Sequence, residues 1–181
     1  ITNSVDESKR KGTKLNTIKV TIDSNEVTIW DNGGIPVVKH KEHNEWIPEM
    51  IFSNLKAGSN FDDTEARSWA GTNGVGSTLT NIFSKKFSIS TCDGKNQFNQ
   101  VFSDNMRTRT KAKIKEASRN HTEISYTTDF ERFGLNGIDE SHFKMLQKRV
   151  YDIAACNPDL KVYFNGTLIN FKSFEDYIKL Y

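Results

Sequence analysis

The chain carries the sequence IKVTIDSNEVTIWDNGGIP at residues 18–36. Apolar and polar side chains alternate before and after a Ser-Asn pair in this stretch. Strict alternation on both sides of a turn predicts a β-hairpin with one covered face. The parity of the second strand places Asp31 on that covered face, together with Val27 and Ile29. A carboxylate on the covered side of a sheet needs a hydrogen-bonding partner, so Asp31 is a candidate binding residue.

A Gly-rich stretch, GTNGVGS, follows at residues 71–77. Apolar residues recur at helical spacing from Val75 through Leu79 to Ile82 and Phe83, so the stretch opens a helix. Glycine lets backbone N–H groups converge at the positive end of a helix dipole, where phosphate is a natural ligand. An ordinary turn before a helix fits the same pattern. The stretch lacks the Lys of a P-loop and the preceding parallel βαβ strand of a dinucleotide fold.

The rest of the sequence predicts short helices and hairpin-connected strands. Helices are expected over 46–55, over 139–156 and from Phe174 onward, strands near 86–92, 97–103, 107–115 and 122–127, and a type I′ hairpin at Asn165-Gly166. The long segment 56–72 has no periodicity, which is typical of a functional loop. Hairpin strands with grouped helices predict an α+β fold, a two-layer α/β sandwich whose mixed, mostly antiparallel sheet carries helices on one face. Since neither repeats nor low-complexity linkers divide residues 1–181, we expect a single domain.

Composition restricts the classes of function. Lys+Arg of 25 against Asp+Glu of 23 gives a net charge of +2, too balanced for wholesale attachment to nucleic acid or membrane. No apolar run approaches the roughly 20 residues that cross a bilayer. Cys92 and Cys156 lie outside any CxxC or Cys/His pattern, which favours an intracellular protein. The histidines do not match metal-ligand spacing, and surface or loop roles are expected for all of them: His40, His43, His121 and His142.

Two polar segments are further candidates for binding. Asn3 lies on a helix-like run, where its carbonyl oxygen suits Mg²⁺ beside phosphate oxygens, although a surface Asn fits equally. In the segment DNGGIP, residues 31–36, Asp31 can accept a hydrogen bond from an amino group such as that of adenine, while the glycines let a flat ring approach the backbone. A strand-ending turn has the same composition.

In their order along the chain these segments resemble the GHKL ATPase superfamily (the Bergerat fold) and, within it, the type IIA DNA topoisomerases of the eukaryotic and viral branch. The resemblance covers nearly all of the chain. It is carried by these segments: Asn3 to Asp6, Trp30 to Val38, Gly71 to Ser77, Asn81 to Ser84, Arg149 to Ala154, Phe164 to Gly166 and Lys172 to Tyr177. Histidine kinases, chaperones and mismatch-repair ATPases share the first motifs only.

The resemblance implies an ATP-binding domain that uses Mg²⁺. In the full-length enzyme, ATP binding would close two copies into a homodimeric gate for passage of duplex DNA, and hydrolysis would reset it. Asn3 would hold Mg²⁺, Asp31 would bind the adenine amino group, and Thr122 would support the adenine site from a strand. The other implied nucleotide contacts are Gly33, Gly34, Ile35, Ser59, Asn60, Asn73, Gly74, Val75, Gly76 and Ser77.

The chain departs from the family pattern in several places. The family's general base is a Glu four positions before the Asn, which puts it ahead of Ile1, so we expect a domain truncated at its N-terminus that holds nucleotide better than it cleaves it. The transducer domain, with its γ-phosphate-sensing Lys, and the DNA-cleavage region also lie outside these residues. The adenine motif is one residue short between Gly33 and Gly34, and Thr78 stands where the eukaryotic enzymes carry a Lys. A non-hydrolysing nucleotide-binding or dimerisation module is the alternative function.

Basic residues alternate along the predicted strand at 107–115. If that strand is continuous, all of them emerge on one face as candidate contacts to duplex DNA: Arg107, Arg109, Lys111, Lys113 and Lys115. A solvated edge strand, protected by its charges against aggregation, is the alternative.

Overall fold

The computed structural model describes residues 1–55, 71 and 73–180. Its α-helices and β-strands are, in chain order, α1 (Thr2–Ser8), β1 (Thr17–Asp23), β2 (Glu26–Asp31), α2 (Ile47–Ser53), α3 (Gly76–Ile82), β3 (Ser84–Cys92), β4 (Asn96–Ser103), β5 (Thr108–Arg109), β6 (Lys113–Glu116), β7 (His121–Thr128), α4 (Glu140–Cys156), β8 (Lys161–Phe164), β9 (Thr167–Ile169) and α5 (Phe174–Ile178), and a 3₁₀ helix spans Phe130–Phe133. Within these residues, no helix combines the length and the apolar character needed to cross a membrane.

The strands of the described residues form one sheet. Its order is β5-β4-β3-β7-β2-β1-β8-β9, and β6 also pairs with β4. β1 and β8 run parallel, whereas the other pairs are antiparallel. The prediction of a mixed, mostly antiparallel sheet is therefore confirmed.

Helices cover one face of this sheet, as predicted. The apolar side chains of β1 and β2 pack against Val5 of α1 and the inner face of α4. The phenylalanines of β3 and β4 pack with Phe52 of α2. Both clusters lie on the same side, because β2, β7 and β3 carry Ile29, Ile124 and Ile89 directly opposite one another. Among the described residues, the strands turn polar, half-buried side chains such as Thr28, Ser88 and Ser125 to the other side of the sheet, here called the open side.

The sequence correctly predicted two elements of the C-terminal part of the chain, the helix α4 and the turn between β8 and β9. α4 presents Ile153 to the core, and Asp139 caps the helix by accepting the His142 N–H at 2.8 Å. Asn165 (φ 44°) and Gly166 (φ 81°) form the loop between β8 and β9, both in the left-handed region that a type I′ turn requires.

The buried face of α3 differs from the predicted one. The sequence pattern placed Leu79 toward the core, but 40% of Leu79 is exposed, whereas Thr78 and Asn81 are fully buried. The Thr78 hydroxyl donates to the Asn54 carbonyl at 3.0 Å, and the Asn81 amide donates to the Phe52 carbonyl at 3.0 Å. α3 therefore packs on α2 through polar side chains that satisfy the last carbonyls of α2.

The predicted strand over 107–115 is wrong as a continuous strand, because a β-bulge divides it into β5 and β6. In β5, Arg109 lies opposite Phe102 of β4. In β6, Lys113 lies opposite Asn99, so the register against β4 moves by one residue. A one-residue slip turns the following side chains to the other face of a sheet.

Thr110 holds this bulge through two hydrogen bonds to Val101 of β4. Its N–H donates to the Val101 carbonyl at 2.8 Å, and its hydroxyl accepts the Val101 N–H at 3.0 Å. The basic residues consequently do not share one face. Arg109 lies on the helix-covered side of the sheet, whereas Lys113 and Lys115 lie on the open side.

Candidate functional site

The candidate site begins with a row of side chains across three neighbouring strands. Asp31 of β2 lies opposite Thr122 of β7, which lies opposite Thr91 of β3. The two threonine hydroxyl oxygens are 2.9 Å apart, and Thr91 is also 3.0 Å from the His121 carbonyl, to which it donates. The register thus brings two residues that the sequence analysis selected, Asp31 and Thr122, side by side on the covered face.

Asp31 is buried. Only 6% of its surface is exposed. Burial raises the pKa of its carboxyl above the ordinary value, while hydrogen bonds from the Ser4 side chain and the Gly33 N–H oppose the rise. The Gly33 N–H lies 2.9 Å from Oδ1 of Asp31. Because a carboxylate has about four acceptor positions, Asp31 retains capacity for a ligand amino group.

The DNGGIP turn is positioned by β3. The Ile35 N–H donates to the Thr91 hydroxyl at 3.1 Å. A methyl group at Gly34 would lie 2.2 Å from the Cys92 carbonyl oxygen. Gly34 is therefore required by the close approach of two backbones, a packing role that is separate from any contact with a ligand.

Thr91 is a site residue that the sequence analysis missed. Alternation along β3 places it on the covered face, but only the pairing of β3 with β7 shows that it meets Thr122. Its hydroxyl joins the DNGGIP turn to the row that contains Asp31.

Helix α1 connects this row to the Gly-rich stretch. Ser4 bonds to Asp31, and Oδ2 of Asp6 accepts the Gly71 N–H at 2.9 Å. Asn3 is exposed on the same helix, and its Oδ1 lies 3.7 Å from the position that a Cβ of Gly71 would occupy. Two residues of one short helix, Ser4 and Asp6, therefore contact both parts of the candidate site. Ser4 and Asp6 had no role in the sequence-based site, because these contacts join distant segments.

The Gly-rich stretch leads directly into α3. Gly74 has a φ of 60°, in the left-handed region, and Val75 is the N-cap residue. Among the residues that the structure describes, no side chain caps α3. A Cβ at Gly76 would meet nothing within 4 Å. With Asn73 exposed beside them, the first N–H groups of α3 are suited to an anion.

Other predicted contacts take different positions. The Ser77 hydroxyl is 3.4 Å from the Ile51 carbonyl, a long hydrogen bond that leaves it adaptable. Thr78 is buried, and its hydroxyl donates to the Asn54 carbonyl at the end of α2. Ser59 and Asn60 lie outside the described residues, and their roles stay predictions.

The basic residues at 107–115 have separate surroundings. Arg109 lies 3.0 Å from a carboxylate oxygen of Glu49 and 3.7 Å from one of Glu45. Arg107 lies 3.8 Å from a carboxylate oxygen of Asp104. The lysines of the same segment are exposed at positions 111, 113 and 115.

The chain is similar in sequence to DNA topoisomerases. It is 41% identical over 183 residues to DNA topoisomerase 2 of Pisum sativum, covering 97% of this chain and 12% of that protein. It is 40% identical over 187 residues to DNA topoisomerase 2 of Acanthamoeba polyphaga mimivirus, covering 100% of this chain and 15% of that protein. The chain thus spans a small part of the length of these relatives. No family model matches it.

Solved structures give the same correspondence. The ATPase region of Saccharomyces cerevisiae topoisomerase II bound to ICRF-187 (dexrazoxane) superposes with a TM-score of 0.93 at 32% identity, covering 99% of this chain and 49% of that chain. The ATPase and transducer domains of topoisomerase II from Balamuthia mandrillaris give a TM-score of 0.92 at 35% identity, covering 99% of this chain and 48% of that chain.

Proposed function

This chain belongs to the family of topoisomerase II ATPase regions, and we propose that it is the ATP-binding part of a DNA topoisomerase in which nucleotide binding closes a gate for strand passage. One observation carries the nucleotide site: α1 bonds Asp31 through Ser4 and Gly71 through Asp6. A nucleotide has to be recognised at its base and at its phosphates. A single helix that touches both regions holds them at a set separation.

The base would bind at Asp31. Its ionised carboxylate accepts hydrogen bonds and donates none, so it pairs with the amino group of adenine. A guanine would present its carbonyl oxygen at that position, and two acceptors would face each other. The hydroxyls of Thr91 and Thr122 hold the neighbouring strands in register beside the carboxylate.

The phosphates would bind between α1 and the start of α3. The N–H groups at Gly76 and Ser77 are at the positive end of α3, and the open space at Gly76 leaves room for phosphate oxygens. Asn3 offers a side-chain oxygen next to Gly71, which fits the preference of Mg²⁺ for oxygen ligands. Bound Mg²⁺ would supply neutralising charge for the phosphates.

Turnover and gating concern the longer protein. Residues 1–181 are proposed to form one domain that binds ATP, and hydrolysis of that ATP is proposed for the longer protein. Closure would pair two copies as a homodimer, with duplex DNA passed through the full-length enzyme. Because that substrate is DNA, the proposed location is intracellular.

Calorimetric titration of the chain with a non-hydrolysable ATP analogue tests the nucleotide site. We expect one analogue per chain, bound more tightly with Mg²⁺ than without it. Asn3→Ala should remove the gain from Mg²⁺, whereas Asn99→Ala, on the open face of the sheet, should keep it. Absence of binding by the unmutated chain would overturn the proposal, and light scattering with and without the analogue would test gate closure separately.

A further inference from the structure

A hydrogen-bonded turn, residues 40–45, lies between the DNGGIP segment (residues 31–36) and α2. The His40 N–H donates to the Glu45 carbonyl at 2.8 Å, and the Asn44 N–H donates to the His40 carbonyl at 3.0 Å. Beyond the turn, the Ile47 N–H donates to the Val38 carbonyl at 2.9 Å. Asn44 has a φ of 52°, a left-handed conformation that reverses the chain. Backbone hydrogen bonds therefore join the two sides of the turn both where it begins and ends and within it.

Three side chains that are potential metal ligands meet on this turn. One ligand atom each of His40, Glu42 and His43 lies within 4.8 Å of the other two. The two imidazole rings stack with their centroids 4.9 Å apart and their planes 20° from parallel. The spacing of the histidines along the chain predicts surface or loop roles, because the left-handed conformation of Asn44, which folds the turn back, leaves no spacing pattern in the sequence.

We propose that His40, Glu42 and His43 bind a divalent transition metal, with Zn²⁺ as the preferred ion. Neutral imidazole is a preferred ligand of Zn²⁺, and a carboxylate adds the negative charge that offsets the ion. Two imidazolium charges at the observed ring separation would repel each other, whereas a shared cation joins two neutral rings. The fourth position of a tetrahedral ion would be filled by water.

The geometry requires small movements. Ligands about 2.1 Å from a tetrahedral Zn²⁺ lie about 3.4 Å from one another, so the side chains close by roughly 1.4 Å at most. Glu42 and His43 are exposed and His40 is partly exposed, so rotation of their side chains provides this closure. The Glu42 N–H points to Nδ1 of His40 at 3.4 Å, a long hydrogen bond whose loss costs little.

The charges near the turn limit the affinity. Lys39 and Lys41 flank the ligands and oppose a cation, and Lys39 is engaged with Oδ1 of Asn44 at 3.1 Å. Glu45 contributes negative charge, although it also lies 3.7 Å from Arg109. The turn shares no residue with the proposed nucleotide site, where Mg²⁺ would meet oxygen ligands. Imidazole ligands distinguish the two ions, so Zn²⁺ binding is measurable in the absence of nucleotide and in excess Mg²⁺.

The test is a titration of the full chain with ZnCl₂ by calorimetry, repeated with Co²⁺ by visible absorption. A Cys156→Ser background removes the exposed thiol as a competing ligand. We expect one Zn²⁺ per chain, unaffected by excess Mg²⁺. Replacing a direct ligand should weaken binding at least about tenfold, since even outer-shell partners of metal ligands reach that size. The variants are His40→Asn, Glu42→Gln and His43→Asn.

His142→Asn is the matched control. His142 is also a partly exposed histidine beside a carboxylate, with its Nδ1 2.8 Å from Oδ1 of Asp139, but it lies on α4. It should leave the Zn²⁺ affinity unchanged. Glu42→Gln and His43→Asn alter exposed side chains, and thermal unfolding monitored by circular dichroism checks that they fold. The proposal is overturned if no stoichiometric Zn²⁺ binds, if the ligand variants bind as the unmutated chain does, or if the control loses as much affinity as they do.

Discussion

Asp31→Asn is expected to weaken nucleotide binding while leaving the free protein as stable or more stable. The substitution keeps the size of the side chain and exchanges one carboxylate oxygen for an NH₂ group. The retained oxygen still accepts the Gly33 N–H, which lies 2.9 Å from Oδ1 in the structure. The NH₂ group can donate to the Ser4 side chain, whose hydroxyl also accepts hydrogen bonds. The buried polar groups of the free protein therefore keep partners.

The cost to the nucleotide complex follows from the lost charge. A hydrogen bond to an ionised acceptor contributes about 1.5–3 kcal/mol, and in the variant the NH₂ group meets the amino group of adenine, donor against donor. The dissociation constant should rise about 10- to 100-fold, at about 1.4 kcal/mol for each factor of ten.

The free energy of unfolding of the protein without nucleotide should instead increase. Burial raises the pKa of Asp31, so the native state binds more protons than the unfolded state between the two pKa values. Stability accordingly falls as the pH rises through that window, and Asp31→Asn abolishes this loss at neutral pH.

Calorimetric titration with a non-hydrolysable ATP analogue, together with urea unfolding of the free protein, measures both effects. The affinity of the unmutated chain should decline on acidification from a pH above the ordinary aspartate range, because burial raises the pKa of Asp31. Glu26→Gln makes the same chemical change at an exposed position of the same strand and should alter neither quantity. An affinity within about twofold of the unmutated value for Asp31→Asn would refute the role assigned to the carboxylate.

Other predictions concern packing and the basic segment. Gly34→Ala should lower the free energy of unfolding by about 1–3 kcal/mol, because its Cβ would lie 2.2 Å from a carbonyl oxygen of β3. Gly76→Ala is the control: a Cβ at Gly76 would meet nothing within 4 Å, so the substitution should change thermal stability little. Thr78→Val should cost roughly 1–3 kcal/mol in urea unfolding by leaving a carbonyl of α2 without its donor, with the affinity for the ATP analogue unchanged. Arg109→Glu should lower the melting temperature by breaking ion pairs beside α2, whereas Lys113→Glu should keep it and weaken salt-dependent binding of duplex DNA. Equal effects of these two substitutions on both measurements would contradict the assignment of opposite faces.

The outline of the fold was readable from local patterns. Alternation on both sides of the first turn predicted the hairpin of β1 and β2 and the covered position of Asp31, which the structure confirms at 6% exposure. The Asn165-Gly166 pair predicted its turn, because both residues tolerate the positive φ that a type I′ turn requires. These signals depend on residues that are neighbours in the chain.

Two local patterns misled for a physical reason. Leu79 has the spacing of a core residue, yet α3 buries Thr78 and Asn81, because the carbonyls at the end of α2 need donors. The alternating basic residues predicted one strand, yet Thr110 forms hydrogen bonds with Val101, and the register against β4 shifts by one residue. The spacing of apolar or charged residues along one helix or strand does not show which backbone groups of a neighbouring element, such as the carbonyls of α2, need a hydrogen-bonding partner.

The sequence by itself determined the hairpin, the covered Asp31, the Gly-rich helix start and the family to which these segments belong. Only the tertiary structure decided which partners complete them: Thr91 beside Thr122, and α1 between Asp31 and Gly71. Periodicity and turn chemistry act over a few residues, so they can be read along the chain. Register, bulges and hydrogen bonds between distant segments depend on which elements become neighbours, and that is settled only when the whole sheet and its helices pack together.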